Sequence, residues 1–156
     1  MPLPEAVLLK KPAVDATPIH LVDRASLPGL LANAPAPTRR WIESIGFEGA
    51  PDTHALLPGE DGRLQAVWAG VRDPRHPFAL AALPKALPTG RYRLGEGGLP
   101  AELEAAALSW SLGAYTFDRY KAPRRVPAEL VLPADAAAKR GLTVAEAVCT
   151  VRDLVN

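Results

Sequence analysis

The chain has 156 residues, 48% apolar and 22% charged, with a formal net charge of +1 and one cysteine. Those values describe one globular domain able to bury a core; they exclude an intramolecular disulfide and give no electrostatic case for nucleic acid or an acidic surface. Proline, at 17 residues, is about twice as frequent as usual and forces many turns between short elements.

The opening MPLPEAVLLKK has too short an apolar run for a signal peptide, and its charges follow that run. No stretch approaches the roughly 18 apolar residues of a membrane span, so a cytoplasmic protein is expected. Thr17–Val22 reads as the first strand, and the small, proline-rich Leu30–Pro37 as a loop. A helix is expected after Thr38, an N-cap, with Trp41, Ile42 and Ile45 on one face and a stop at Gly46. Thr53–Leu57 and Leu64–Val71 flank the turn residues Pro58–Gly62 and form a hairpin. Arg72–Pro77 is a turn, Pro77–Leu83 a short helix and Arg91–Leu94 a short strand.

A long helix follows, with Pro100 in its first turn. It carries one stripe at Leu103, Ala107, Trp110, Ala114 and Phe117 and another at Leu108, Leu112 and Tyr115. Two stripes bury most of its circumference, as for a helix laid flat on a sheet. Pro123 and Pro127 break the chain before the strand Glu129–Leu132. The last helix is expected from Thr143, with Thr143-Val-Ala-Glu146 as a capping box, and puts Val144, Ala147, Val148, Val151, Leu154 and Val155 on one face. It reaches Asn156 with no C-cap glycine. Strands and helices alternate around one hairpin, so the expected class is α/β, a mixed sheet flanked by helices.

The chemistry-bearing residues are sparse. His20, His54 and His76 stand apart, with no metal-ligand spacing. His20 and Asp23 could supply two ligands, though a structural or solvated role is the simpler expectation. Cys149 reads as a buried, inert thiol, since no base can be argued beside it. Gly95-Glu-Gly-Gly98 lacks the Lys-Ser/Thr of a phosphate loop; it precedes a helix, where an anion could bind, but a plain turn is the expectation. Arg39–Arg40, Lys121 with Arg124–Arg125, and Lys139–Arg140 are short basic clusters balanced by 17 acidic residues. The aromatics at 110–120 read as core rather than as a stacking platform. No nucleophile, base and oxyanion site assembles.

ALSWSLGAYTFDRYK (107–121), AELVLP (128–133) and AEAVCTVRDLVN (145–156) together resemble the N-terminal domain of the M17 leucyl aminopeptidases. The matching positions are Gly113, Tyr115, Phe117, Tyr120 and Lys121, then Arg152, Asp153, Leu154, Val155 and Asn156. Residues 41–71 and 77–94 are similar to the shorter N-terminal domain of bacterial members. The resemblance implies a three-layer α/β sandwich like that of macro domains. It also implies a parent that releases N-terminal residues from peptides with two divalent ions, zinc or manganese.

In that family the ligands of those ions, with an Asn-Thr-Asp-Ala-Glu-Gly-Arg motif, lie in a C-terminal catalytic domain. The motif does not occur in these 156 residues, and the family's Thr-Pro-Ala-Asn does not follow Asn156. Residues 1–156 are therefore expected to be one non-catalytic domain with no catalytic, cofactor-binding or metal-binding residue. It would serve assembly, a homo-hexamer, and access to the active site, with peptide substrate and its own catalytic domain as partners only in the parent. Two alternatives remain: a macro-like ligand-binding module using Gly95–Gly98, and a DNA-binding domain using the basic clusters.

Overall fold

The structure, a computed structural model, describes residues 6–9, 14–116 and 125–155. In chain order the elements are β1 Ala6–Leu9, β2 Thr17–Val22, α1 Leu27–Asn33, α2 Ala36–Ile45, β3 His54–Pro58, β4 Leu64–Gly70, α3 Leu83–Ala86, β5 Arg91–Leu94, α4 Leu103–Ala114, β6 Glu129–Pro133 and α5 Ala136–Val155. Six strands make one sheet in the order β1-β6-β5-β2-β4-β3. Every neighbouring pair is parallel except the β3–β4 hairpin. The mixed α/β sheet is as expected; β1 adds a strand that the brief apolar run near the start did not reveal.

Alternation along the strands divides the core into two faces. Ile19 and Leu21 of β2, Val67 and Ala69 of β4, Tyr92 of β5 and Leu130 and Leu132 of β6 pack with Leu83 of α3 and Ala106, Ala107 and Trp110 of α4. On the other face Val22, Trp68, Ala55 and Leu57 meet Leu27 of α1 and Ile42 of α2. Helices therefore cover both faces, which makes three layers. A third cluster, Leu112, Ala145 and Cys149, closes α4 against α5.

The stretch expected as a loop at Leu30–Pro37 is instead the end of α1 and the start of α2. Each helix carries a proline in its first turn, where the missing N–H would have had no partner anyway. Leu30 and Leu31 pack against the Val22–Trp68 cluster, and that burial outweighs the loop-like composition. Pro35, not Thr38, is the N-cap of α2. Ile42 is buried, but Trp41 and Ile45 beside it are 40% and 44% exposed, so the expected apolar face is only partly covered. Trp41 Nε1 donates to the Leu56 carbonyl at 2.8 Å.

The expected helix at Pro77–Leu83 is a run of turns closed by i→i+3 bonds, such as Ala79 N to the His76 carbonyl at 3.0 Å; α3 begins only at Leu83. Two residues of α4 explain the difference. Gly113 brings its backbone so near that a Cβ would overlap the Ala81 carbonyl, and Leu80 N donates to the Ser109 hydroxyl at 3.2 Å. The turn backbone thus takes a partner from α4 that a helix would not need.

Pro100 lies before α4 rather than in its first turn, because Leu99 N is held by the Leu21 carbonyl of β2 at 2.6 Å. The helix is buried around most of its circumference, as its two stripes imply. It ends at Ala114, and Phe117 lies outside the described residues. The capping box at Thr143 is overturned. α5 starts at Ala136, where Asp135 accepts from Ala137 N at 2.7 Å and makes the N-terminal cap. Thr143 sits inside the helix, its hydroxyl donating to the Lys139 carbonyl at 3.0 Å.

Candidate functional site

In a sheet wound both ways, ligands enter outside the carboxyl ends of the strands, where connections leave in opposite directions. Here that point is β2: β4 lies on one side of it and β5 on the other. The loop Gly95–Gly98 follows β5 and folds onto β2. Gly95 N donates to the Ile19 carbonyl at 2.7 Å, and Leu99 N to the Leu21 carbonyl. A Cβ on Gly95 would lie 2.6 Å from the His20 ring, and one on Gly98 would overlap the Leu21 carbonyl. The loop's amides at Gly95 and Leu99 are therefore spent on β2, and the N-cap of the following helix is the acidic Glu102. This arrangement offers an anion little.

His20 stands on β2 above Gly95, and its buried Nδ1 has no hydrogen-bond partner among the described residues. Burial pushes its pKa below the usual histidine value; the positive Arg93 adds to that, and the backbone of Glu96 works against it. Asp23 does not join it as a ligand. The Asp23 carboxylate accepts from Ser26 N at 2.7 Å, and Asp23 N donates back to the Ser26 hydroxyl at 3.0 Å. The Ser26 hydroxyl first, and its backbone N–H second, hold the carboxyl below its usual range, and the reciprocal bonds shape the turn that enters α1.

His54 begins β3, and burial lowers its pKa too. His76 lies in the turn after β4, where its Nδ1 accepts from Phe78 N at 3.1 Å. Among the described residues no three His, Cys, Asp or Glu side chains come together as a metal site. Burial raises the pKa of Cys149, so its thiol is a poor nucleophile at neutral pH.

The described aromatics at the end of α4 are structural. Trp110 is fully buried, its Nε1 donates to the Ala128 carbonyl at 3.1 Å, and its ring lies 6.4 Å from that of Tyr92. Tyr115 donates its hydroxyl to Asp153 of α5 at 2.7 Å. Phe117, Asp118, Arg119, Tyr120 and Lys121 fall outside the described residues. The basic pairs lie on separate elements, Arg39–Arg40 on α2 and Lys139–Arg140 on α5. Arg140 is paired with Glu104 at 3.1 Å, and Arg125 donates to the Leu87 carbonyl.

The surface feature that departs most from an ordinary solvated domain is on α5. Its buried positions are Ala138, Gly141, Ala145 and Cys149. The face with the larger side chains points outward: Val144 is 45% exposed, Val151 57%, Leu154 80% and Val155 77%. Small residues, with Val148 at their edge, make the seam with α4. No helix of the described residues is long and apolar enough to cross a membrane.

Fold and surface together define a three-layer α/β domain with an apolar outer helix face. A family model described as the M17 aminopeptidase N-terminal domain matches residues 17–133. The chain belongs to that family. Among solved structures it is similar to the cytosol aminopeptidase of Coxiella burnetii, with 30% identity and a TM-score of 0.84 over 96% of this chain and 33% of that one. It is also similar to the bottromycin maturation enzyme BotP, with 29% identity and a TM-score of 0.60 over 90% of this chain and 33% of that one; BotP has also been solved in complex with Mn. No curated protein matches the chain. The chain spans about a third of the length of these solved relatives.

Proposed function

We propose that the chain is the non-catalytic N-terminal domain of a leucyl aminopeptidase-like metallo-exopeptidase, serving assembly and access to the active site. The observation that carries this reading is the match to nearly the whole of this domain within one third of a cytosol aminopeptidase. The remaining two thirds would hold two divalent ions, zinc or manganese, that activate water and polarise the scissile carbonyl. Peptide substrate would meet that portion, in a cytoplasmic homo-hexamer. The bonds of the Gly95–Gly98 loop to β2 and the scatter of the basic residues over separate elements favour this over a nucleotide-binding or DNA-binding module.

The test is hydrolysis of leucine p-nitroanilide with added manganese or zinc. The 156-residue chain should release no p-nitroaniline, and the complete polypeptide containing it should. Metal-dependent release by the 156 residues alone would overturn the reading.

A further inference from the structure

β3 is the last strand of the sheet, so one side of its backbone has no neighbouring strand among the described residues. Which groups point that way follows from its pairing with β4. Gly70 N donates to the Thr53 carbonyl at 2.8 Å, which turns Thr53 toward β4. Antiparallel backbone alternates in direction, so Ala55 and Leu57 also face β4, and His54 and Leu56 present their N–H and C=O outward. The bond from Trp41 Nε1 to the Leu56 carbonyl at 2.8 Å confirms that direction.

An open edge is a template for another strand, and charged residues, proline and bulges are its usual protections. The far end of β3 has two of these: Pro58, which has no N–H to offer, and a register shift between Leu57 and Pro58. The run His54-Ala-Leu-Leu57 before them carries no Lys, Arg, Asp or Glu.

The outward groups of that run are self-complementary. About a two-fold axis at Ala55, His54 of one copy lies opposite Leu56 of another, and each such pair exchanges two N–H···O bonds. Both pairs need the Leu56 carbonyl, as the acceptor for His54 N of the other copy. That carbonyl is the one Trp41 occupies. An incoming strand must approach to roughly 4.8 Å, and an indole nitrogen at 2.8 Å stands in its way.

We propose that Trp41 is an edge cap: its indole N–H holds the Leu56 carbonyl and blocks antiparallel pairing of β3 with β3 of a second copy of this chain. The placement accounts for a tryptophan that is 40% exposed on α2 while Ile42 beside it is buried. The indole also borders an open groove with Pro35, Pro37 and Pro58, so the ring has room to leave the carbonyl and the cap is reversible. The inference is independent of the functional reading above.

The experiment is sedimentation velocity on the 156-residue chain and its variants at matched concentrations. Trp41→Ala removes both ring and donor. Its self-association constant should exceed that of wild type roughly ten- to a hundredfold, as expected for two hydrogen bonds regained per dimer. Adding His54→Pro should restore the wild-type constant. His54 N points outward, so proline there removes no bond of the β3–β4 ladder but takes both His54 donors from the dimer. Amide exchange at His54 and Leu56 should slow in Trp41→Ala, and Leu56 should exchange as in wild type once His54→Pro is added.

Wild-type association in Trp41→Ala would overturn the proposal. So would association that His54→Pro leaves in place, because the copies would then meet elsewhere than at β3. Trp41→Phe, which keeps a ring on α2 and loses only the donor, carries the same two outcomes where circular dichroism shows that Trp41→Ala has not folded.

Discussion

Gly141 of α5 lies directly against the Glu104 carbonyl of α4, with no room for a Cβ between them, and a Cβ there would also come within 3.0 Å of the Ala107 side chain. Arg140, next along α5, reaches the Glu104 carboxylate at 3.1 Å and closes the same crossing. The two helices are set at this separation by the absent side chain.

Gly141→Ala therefore sets two effects against each other. Alanine inside a helix is favoured over glycine by about 1 kcal/mol. The overlap is with backbone, which cannot rotate away, so overpacking should cost about 3 kcal/mol, the upper end of its usual range. The net loss of about 2 kcal/mol corresponds to a Tm lower by roughly 4–8 °C in a domain of this size. Thermal unfolding followed by far-ultraviolet circular dichroism reads it directly; a higher Tm would mean that the seam opens freely.

Tyr115 makes the second tie to α5. Its hydroxyl donates to Asp153 at 2.7 Å, the Arg152 guanidinium lies 5.5 Å from its ring centre, and Lys85 donates to its carbonyl at 2.6 Å. A carboxylate in the last turn faces the negative end of the helix, and the tyrosine hydroxyl offsets that repulsion. Tyr115→Phe keeps the ring and removes the hydroxyl bond, worth about 1.5–3 kcal/mol for a charged acceptor. Amide exchange at residues 149–155 should accelerate while that of β2 and β4 stays level. Unchanged exchange at the helix end would show that the bond carries no load.

These two ties explain what the sequence disclosed and what it hid. β2, β5, β6 and the β3–β4 hairpin stand out because Thr17–Val22, Arg91–Leu94, Glu129–Leu132 and the paired runs around Pro58–Gly62 are bounded by turn residues. The real seam of α5 uses Ala138, Gly141 and Ala145, whose small side chains give almost no periodic hydrophobic signal. The valines gave that signal and drew attention to the wrong face of the domain's own packing. α1 was hidden for another reason: its sequence, LPGLLAN, has the composition of a loop, and only contact with Val22 and Trp68 makes it a helix. The docking of the Gly95–Gly98 loop on β2 was equally invisible, because the bond from Leu99 N to the Leu21 carbonyl belongs to backbone atoms that no motif marks.

Stability should fall on mild acidification. His20 and His54 both have pKa values lowered from the ordinary 6.5, chiefly by burial. In this window the unfolded chain takes up protons that the native chain refuses, so the native state loses ground as pH drops. The contribution is full above about pH 7, declines as pH falls through 6.5, and levels off once both histidines are protonated in the fold as well. Asp23, held below its ordinary 3.8 by Ser26, enters only in a separate, more acidic window. Both rings are partly exposed, so the slope is modest. Tm measured from pH 7.5 to 5 should fall in the wild type and flatten in the double variant His20→Gln, His54→Gln. An equal slope in both would assign the acid sensitivity to other groups.

Ser109 and Ser111 lie two residues apart on α4 and should respond in opposite directions to alanine. Both are buried, at 0% and 2% exposure. The Ser109 hydroxyl accepts from Leu80 N at 3.2 Å and contacts the Ala106 carbonyl at 3.4 Å, so its removal strands a buried amide. The Ser111 hydroxyl has no hydrogen-bond partner among the described residues; its desolvation is uncompensated there, and alanine also suits the helix better. Ser109→Ala should cost about 1–3 kcal/mol, whereas Ser111→Ala should gain up to about 1 kcal/mol. Urea unfolding of the two variants, with equal m-values, separates them. A destabilised Ser111→Ala would mean that its hydroxyl has a partner, a buried water being the simplest, and that the α4 core is wetter than its packing implies.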